Sequence, residues 1–482
     1  MNVIQVLRVV SVLLLVVAFF MLVPLAIGLY RGEDTAFSFT APVLLILVLS
    51  SPVLAATRKK AASFLSTRDG FLLVTLSWLS SAFFSSLPFY LSGAVPRFVD
   101  CFFEAMSGYT TTGASILTDI ESLPASILFW RSLTHWLGGM GIVVLTVAIL
   151  PLLGIGGLQL IRAEAPGPTM DKITPKVTAT AKILWFIYLG FTAAETLLLA
   201  AGGMSLFDAF THTFGTLATG GFSPRNLSVG HYDSPFIHVV ITVFMLAAGT
   251  NFIIYFKLLT GRFRSVFTDT ELKVYLGTFA VAAAGIALSL WGRVYADFGT
   301  SLRYAGFQAA TILTTTGYVT ADYTRWPRAA QAILFLLMFI GGSAGSTGGG
   351  VKVIRIVTLF KQGWSELKKL IYPRGMFTVR LSGSAVSQEV VYAISGFVFL
   401  YLFILLVTTL VVASGGNDIL TSLATSLVTL GNIGPGFGKI GPSGNYAFYP
   451  DHIKWFLSFI MMTGRLEIYT VVVLLTPTFW KR

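Results

Sequence analysis

The stretch SGYTTTGAS, Ser107–Ser115, is polar and carries glycine in a chain otherwise dense in Leu, Val and Phe, and its TTTG returns at Thr314–Gly317. Two further segments hold corresponding places, LATGGF at Leu217–Phe222 and GNIGPG at Gly431–Gly436. Each closes a half-apolar segment: VDCFFEAMSGYTTTG, SLFDAFTHTFGTLATGG, YAGFQAATILTTTG or DILTSLATSLVTLGNIG. Segments of this length are too short to cross a bilayer, which takes about 20 helical residues, and read as re-entrant. Between them lie long apolar runs at 7–30, 41–56, 70–93, 126–153, 182–201, 236–259, 273–291, 329–360, 389–413 and 453–476.

Composition agrees with an integral membrane protein. Hydrophobic residues make up 55% of the 482 and charged ones 11%, against about 25% charged in soluble domains. The first apolar run reads as a span, because no small-residue cleavage site followed by a soluble body appears. A net charge of +12 reports orientation in such a chain and gives no reason to expect nucleic acid. The basic clusters are Arg58, Lys59, Lys60 and Arg68; Arg162, Lys172, Lys176 and Lys182; Lys257, Arg262, Arg264 and Lys273; Lys352 to Arg380; and Lys481 with Arg482. All fall on one side if each short segment enters and leaves on the opposite face. Both termini are then cytoplasmic.

The unit that repeats is span, short helix, glycine, span. The glycines Gly113, Gly220, Gly317 and Gly434 recur about every hundred residues, a period that calls for a repeat architecture. Thr stands before three of them, at Thr112, Thr219 and Thr316, while Ile433 and Asn432 precede the fourth. The expected fold is therefore all-α and membrane-integral: four pseudo-repeats of helix, re-entrant pore loop and helix around a central pore, plus two extra N-terminal transmembrane helices. The divisions are 1–63 for the N-terminal pair, then repeats at 64–165, 166–262, 263–380 and 381–482.

Irregular backbone at membrane depth persists only where it is buried in protein or lines water. Four such segments around one axis surround a polar pathway. Glycine there permits positive φ and leaves the lumen clear, and carbonyl oxygens can replace the hydration shell of a cation. The C-terminal ends of the short helices, each worth roughly half a negative charge, favour a cation and repel an anion. The expected filter residues are Thr111, Thr112, Gly113 and Ala114; Thr219, Gly220 and Gly221; Thr315, Thr316, Gly317 and Tyr318; and Asn432, Ile433, Gly434 and Pro435.

A second feature interrupts the eighth run: Gly341, Gly342, Ser343, Ala344, Gly345, Ser346, Thr347, Gly348, Gly349 and Gly350. Glycine at this density does not hold a helix, each costing about 1 kcal/mol relative to Ala. An intramembrane loop on the cytoplasmic side of the filter is expected, placed as a gate. Arg465, near the middle of the last run, needs a partner at that depth, and the loop's carbonyls or hydroxyls suit it better than Glu467, two residues on. Lys352 either adds a second charge to the gate or snorkels to the interface.

Enzyme chemistry finds little support. His135, His212, His231, His238 and His452 show no HExxH spacing, and Cys101 is the single cysteine. No organic cofactor is expected, and no nucleotide-binding glycine motif follows a strand. A secondary transporter of alternating access would show inverted repeats, whereas these are parallel. Cation-coupled symport, K+ with Na+ or H+, or transport of a small organic solute, stands as the alternative to channel-like flux.

SGYTTTGAS, THTFGTLATGGFSP, ILTTTGYVTADY, IGGSAGSTGGGVKVIR and TGRLEIYTVVVLLTPTFW together resemble the Trk/Ktr superfamily of bacterial potassium-uptake proteins, in its TrkH type. The likeness covers nearly the whole chain, and the two extra N-terminal spans favour that type over the shorter Ktr form. It implies a K+-translocating subunit in the bacterial inner membrane, passing Rb+ as well, with the substrate ion bound at the filter residues above. It implies the pairing of Arg465 with the loop. It also implies a homodimer docked on a cytosolic ring of nucleotide-binding TrkA-type subunits, while the basic loops would equally suit anionic membrane lipid.

Overall fold

The computed structural model describes residues 2–57, 65–139 and 177–481. Arg58, Lys59, Lys60, Arg162, Lys172, Lys176 and the end of the run expected at 126–153 lie outside these residues, as do the expected boundaries at 63/64 and 165/166. Helices dominate, and the strands among the described residues form one short hairpin, Arg380–Leu381 with Ser384–Ala385.

Two apolar helices, Val3–Arg31 and Ala36–Thr57, make the N-terminal hairpin. Its turn is fastened to the rest of the molecule. Glu33 accepts hydrogen bonds from the amides of Ala125 (2.8 Å) and Ser126 (3.0 Å), satisfying free N–H groups at the start of helix Ala125–Gly139. The hydroxyls of Thr35 and Ser126 meet at 2.8 Å.

After the hairpin the element order repeats. Each unit has a long outer helix, a short pore helix and an inner helix: Thr67–Leu91, Phe98–Tyr109 and Ala125–Gly139; Val177–Ala201, Leu206–Leu217 and Pro235–Ala248; Thr270–Leu290, Phe298–Leu313 and Arg328–Leu337; Gln388–Ser414, Ile419–Leu430 and Asp451–Arg465. The outer helices are apolar on all sides, as lipid requires. Burial separates them: 61% of the best window of Thr67–Leu91 is covered, against 28% in each of the other three. The N-terminal hairpin packs over the first and supplies that cover.

Three pore helices start on side-chain caps. Ser205, Asp297 and Asp418 accept from the amides of Asp208, Thr300 and Thr421. Each such cap contributes about 1 kcal/mol to fixing where its helix begins.

Six helices among the described residues are long and apolar enough to cross a membrane, and two bent pairs bring the total to eight. Two runs expected to be continuous are broken. The run at 236–259 turns by 94° between Pro235–Ala248 and Phe252–Leu259, and that at 453–476 by 117° between Asp451–Arg465 and Tyr469–Leu475. At the second break Glu467 and Ile468 both have positive φ, which a β-branched residue adopts only under constraint. Arg465 therefore ends a helix at an intramembrane break instead of lying within a continuous span.

Candidate functional site

The four pore helices end at Thr110, Ala218, Thr314 and Gly431. Beyond each, the backbone makes the same excursion. A left-handed residue comes first, Thr111 (φ 52°), Thr219 (53°), Thr315 (60°) or Asn432 (55°), and two positions later a left-handed glycine, Gly113 (77°), Gly221 (79°), Gly317 (85°) or Gly434 (91°). The residue between keeps an ordinary φ. Alternating handedness of this kind turns successive carbonyls to one side. Threonine, β-branched, is strained at positive φ, and strain of that type collects at working sites.

The backbone register is equally regular. Thr112, Gly220, Thr316 and Ile433 each donate N–H five residues back, to Ser107 (2.9 Å), Gly215 (2.8 Å), Thr311 (2.8 Å) and Val428 (2.8 Å). This moves the second quarter by one position relative to the sequence expectation: Gly221 matches Gly113, and Gly220 matches Thr112. The threonine common to three quarters is thus two residues before the glycine, not adjacent to it.

The quarters close into a ring. A Cβ added at Gly113 would run into the carbonyl oxygen of Gly220, at Gly221 into that of Thr316, at Gly317 into that of Ile433, and at Gly434 into that of Thr112. Each glycine therefore abuts the carbonyl of the next quarter in order, and the fourth returns to the first. Thr111, Thr112, Thr219, Thr315, Thr316, Asn432 and Ile433 are all buried. Ala114 is buried behind the first quarter, and Pro435 approaches Gly317. Tyr318 turns its hydroxyl away, donating to the His212 carbonyl at 2.7 Å. Asn432 Nδ2 donates to Thr112 Oγ1 and to the Met461 carbonyl, both at 2.9 Å.

Residues 341–350 form a loop between helices Arg328–Leu337 and Val353–Ile371. It contacts the ring directly, since the Gly349 amide donates to Thr315 Oγ1 at 2.7 Å. A Cβ at Gly348 would stand 3.1 Å from the Thr314 carbonyl, and one at Gly349 would strike the Gly431 carbonyl. On another side the loop is tied to the break in the second inner helix: Ser343 N donates to Gly249 O (2.9 Å), Thr347 Oγ1 to Ala248 O (3.1 Å), and Phe252 N to Gly345 O (3.1 Å).

Charged side chains complete the fastening. Arg465 donates to Thr347 O (2.6 Å), Gly138 O (2.9 Å) and Gly139 O (2.7 Å), so it joins the loop to the first inner helix. Lys352 is buried and donates Nζ to Gly348 O at 2.5 Å; it sits within the loop's fastening, not at the interface. Glu271 accepts from the amides of Ala344 (2.7 Å) and Ile354 (3.2 Å). Glu467 pairs with Arg355, which stacks on Phe397 at 3.9 Å. The sequence gives no signal for Glu271 as a loop anchor, because at the start of a helix it reads as an ordinary dipole-matching acid.

A family model described as TrkH, cation transport protein, matches residues 37–482. The chain is 41% identical over 478 residues to the Trk system potassium uptake protein TrkH of Salmonella typhimurium, covering 98% of each chain. It is 40% identical over 478 residues to the protein of the same name from Escherichia coli K12, again with 98% of each covered. Among solved structures, the crystal structure of the potassium transporter TrkH from Vibrio parahaemolyticus superposes with a TM-score of 0.88 at 36% identity, covering 100% of both chains.

Proposed function

This chain belongs to the TrkH family of cation transport proteins, and on that premise we propose that it is the K+-translocating subunit of a Trk-type uptake system. The closed ring of Gly113, Gly221, Gly317 and Gly434 against the carbonyls of Gly220, Thr316, Ile433 and Thr112 carries the reading. Backbone oxygens brought together by four chain segments can replace the water around a desolvated monovalent cation. The four pore helices all end at the ring, adding roughly half a negative charge each on the side where the cation sits. Filter residues are Thr111–Ala114, Thr219–Gly221, Thr315–Tyr318 and Asn432–Pro435.

The loop at 341–350, with Lys352 and Arg465, is the closed gate. It lies against the ring and brings two cationic groups into the exit path, so it blocks K+ by bulk and by charge. Opening requires release of the bonds from Arg465, Lys352 and Glu271. The four repeats divide at 64, 166, 263 and 381, behind a two-helix N-terminal addition.

The protein is a multi-pass membrane protein, which we assign to the inner membrane on the family's potassium-uptake role, with both termini cytoplasmic because its basic clusters then share one side. Exposed Lys361, Lys368, Arg374 and Arg380 offer a face for an acidic partner or anionic lipid. We assign to that face the docking of a cytosolic nucleotide-binding ring on a homodimer. Purified protein in liposomes under opposed K+ and Na+ gradients tests the central reading: the reversal potential should follow the K+ gradient, with Rb+ also carried. A reversal that tracks Na+ or H+ would replace it with coupled symport.

A further inference from the structure

Nine residues before each ring glycine stands a polar side chain, Glu104, His212, Gln308 and Thr425, and all four are fully buried. Each reaches a side chain beyond its ring. Glu104 accepts from Ser115 Oγ (2.9 Å) and from the Ile116 amide (3.0 Å). His212 Nε2 shares a hydrogen bond with Ser223 Oγ at 3.0 Å, Gln308 Nε2 donates to Thr320 Oγ1 at 3.3 Å, and Thr425 Oγ1 meets the Tyr449 hydroxyl at 2.6 Å. In three quarters the segment just past the ring is thus buttressed from behind, and in the fourth the partner is Tyr449, just before the inner helix.

The seams between quarters differ in kind. Tyr318 of the third quarter donates to His212 O of the second, and Tyr323 of the third to Gly436 O of the fourth at 2.9 Å. The Tyr446 amide of the fourth donates to Ser115 O of the first at 2.8 Å, and its hydroxyl to Gly434 O at 2.7 Å. Beside the filter these three seams use neutral donors, although farther from the ring the fourth and first quarters are also joined by the buried ion pair Lys454–Asp100 at 2.5 Å. Between the first and second quarters the donor beside the filter is charged instead: Arg131, paired within the first quarter to Glu104 through Nε at 2.6 Å, donates Nη1 to Ser223 O of the second at 3.0 Å and lays its guanidinium 3.6 Å over Phe222. Ser115, Glu104, Arg131, Ser223 and His212 form one continuous chain behind the ring.

We propose that Arg131 and Glu104 are positioning residues for ion selectivity, holding the first and second filter strands at the spacing that favours K+. The inference rests on the filter reading above. A guanidinium can bond a carboxylate and a carbonyl at once in fixed directions, which a lysine ammonium does not reproduce. Charge-assisted bonds of this sort are about twice as strong as neutral ones, so this seam is held more stiffly beside the filter than one made of neutral bonds, and its loss loosens the ring there.

The test is the K+/Na+ permeability ratio from reversal potentials of the purified full chain in liposomes. Arg131→Lys, Glu104→Gln and the double variant Glu104→Gln/Arg131→Met should each lower the ratio about fivefold. The double variant leaves the net charge unchanged, so a fall there reflects position and not field. If Glu104→Gln fails to insert, Arg131→Lys, which keeps both charges, decides the question. Gly317→Ala runs beside them. A wild-type ratio in Arg131→Lys and the double variant, with a reduced one in Gly317→Ala, would overturn the inference and leave the filter reading standing. An unchanged ratio in Gly317→Ala would sink the filter reading and this inference with it.

Discussion

The ring and the loop are neighbours joined, among the described residues, by one ring-side hydrogen bond, yet they are built on opposite plans. Four units supply the ring in the same backbone geometry, glycine to carbonyl, with burial on every side. One unit alone supplies the loop, and side chains outside it hold it: Glu271 and the hydroxyl of Thr315 from the same unit, and Arg465 from the fourth. A structure made of packed backbone has no second arrangement nearby, because dense interiors do not deform gradually. A glycine-rich segment fastened by a few polar bonds does have one. On the proposed reading discrimination falls to the rigid part and regulation to the fastened part, which predicts that mutations will separate the two.

The largest effect is expected at Arg465. The hydrogen bonds it gives to Thr347, Gly138 and Gly139 are charge-assisted, each worth about 1.5–3 kcal/mol, and losing about 3 kcal/mol of closed-state stability shifts a two-state population about a hundredfold. Arg465→Ala, or deletion of 341–350, should therefore raise K+ flux into liposomes strongly without the cytosolic partner. The permeability ratio should stay near its original value. If flux were unchanged in both variants, the loop would not be the barrier.

Next comes the ring. At Gly317 φ is 85°, and a Cβ would strike the Ile433 carbonyl. Gly317→Ala must displace that oxygen, and the K+/Na+ ratio should fall about tenfold. The same reversal-potential assay reads it. A variant that changed flux alone would assign Gly317 to gating and erase the distinction drawn here.

How much of this could be read from the sequence follows the same division. The ring was visible because TTTG recurs and four glycines keep a common spacing, which is a signal in residue identity. Its second quarter was misplaced by one residue because Gly220 and Gly221 are adjacent, and only the hydrogen bond from Gly220 N to Gly215 O fixes the register. The loop announced itself by glycine density, and the pairing of Arg465 with it followed from the cost of burying a lone charge. The breaks at 249–251 and 466–468 did not announce themselves, since apolar residues continue on both sides and hydropathy averages across the bend. Arg131 was equally silent: it sits in the run LFWRSLTHW, and its partner Glu104 belongs to another helix.

A smaller effect is expected at Glu271. Its carboxylate accepts from the amides of Ala344, within the loop, and Ile354, in the helix that follows it. Glu271→Gln keeps an acceptor oxygen but removes the charge, which roughly halves the strength of such bonds. Closed-state stability should drop by about 1 kcal/mol, and flux should rise about fivefold. A response as large as that of Arg465→Ala would mean that Glu271, and not the arginine, is the principal fastening.

The smallest effect tests the one point where ring and loop meet. Thr315 is a left-handed ring residue, and its hydroxyl accepts the Gly349 amide. Thr315→Val preserves the β-branched shape and removes only the acceptor of one neutral hydrogen bond, worth about 0.6 kcal/mol at the low end of the usual range. Flux should rise about threefold, with a shift in permeability ratio well below that of Gly317→Ala. Thr111 and Thr219 hold the matching positions, with φ of 52° and 53°, and among the described residues neither hydroxyl bonds the loop. Changes at Thr111→Val and Thr219→Val should therefore fall on the ratio and not on closed-state flux. If all three variants behaved alike, the Thr315 hydroxyl would be a ring element only, and the loop would close without reference to the filter. If Thr315→Val alone moved both quantities together, the gate would be setting the geometry of the third quarter, and the rigid part would be less independent of the fastened part than their construction suggests.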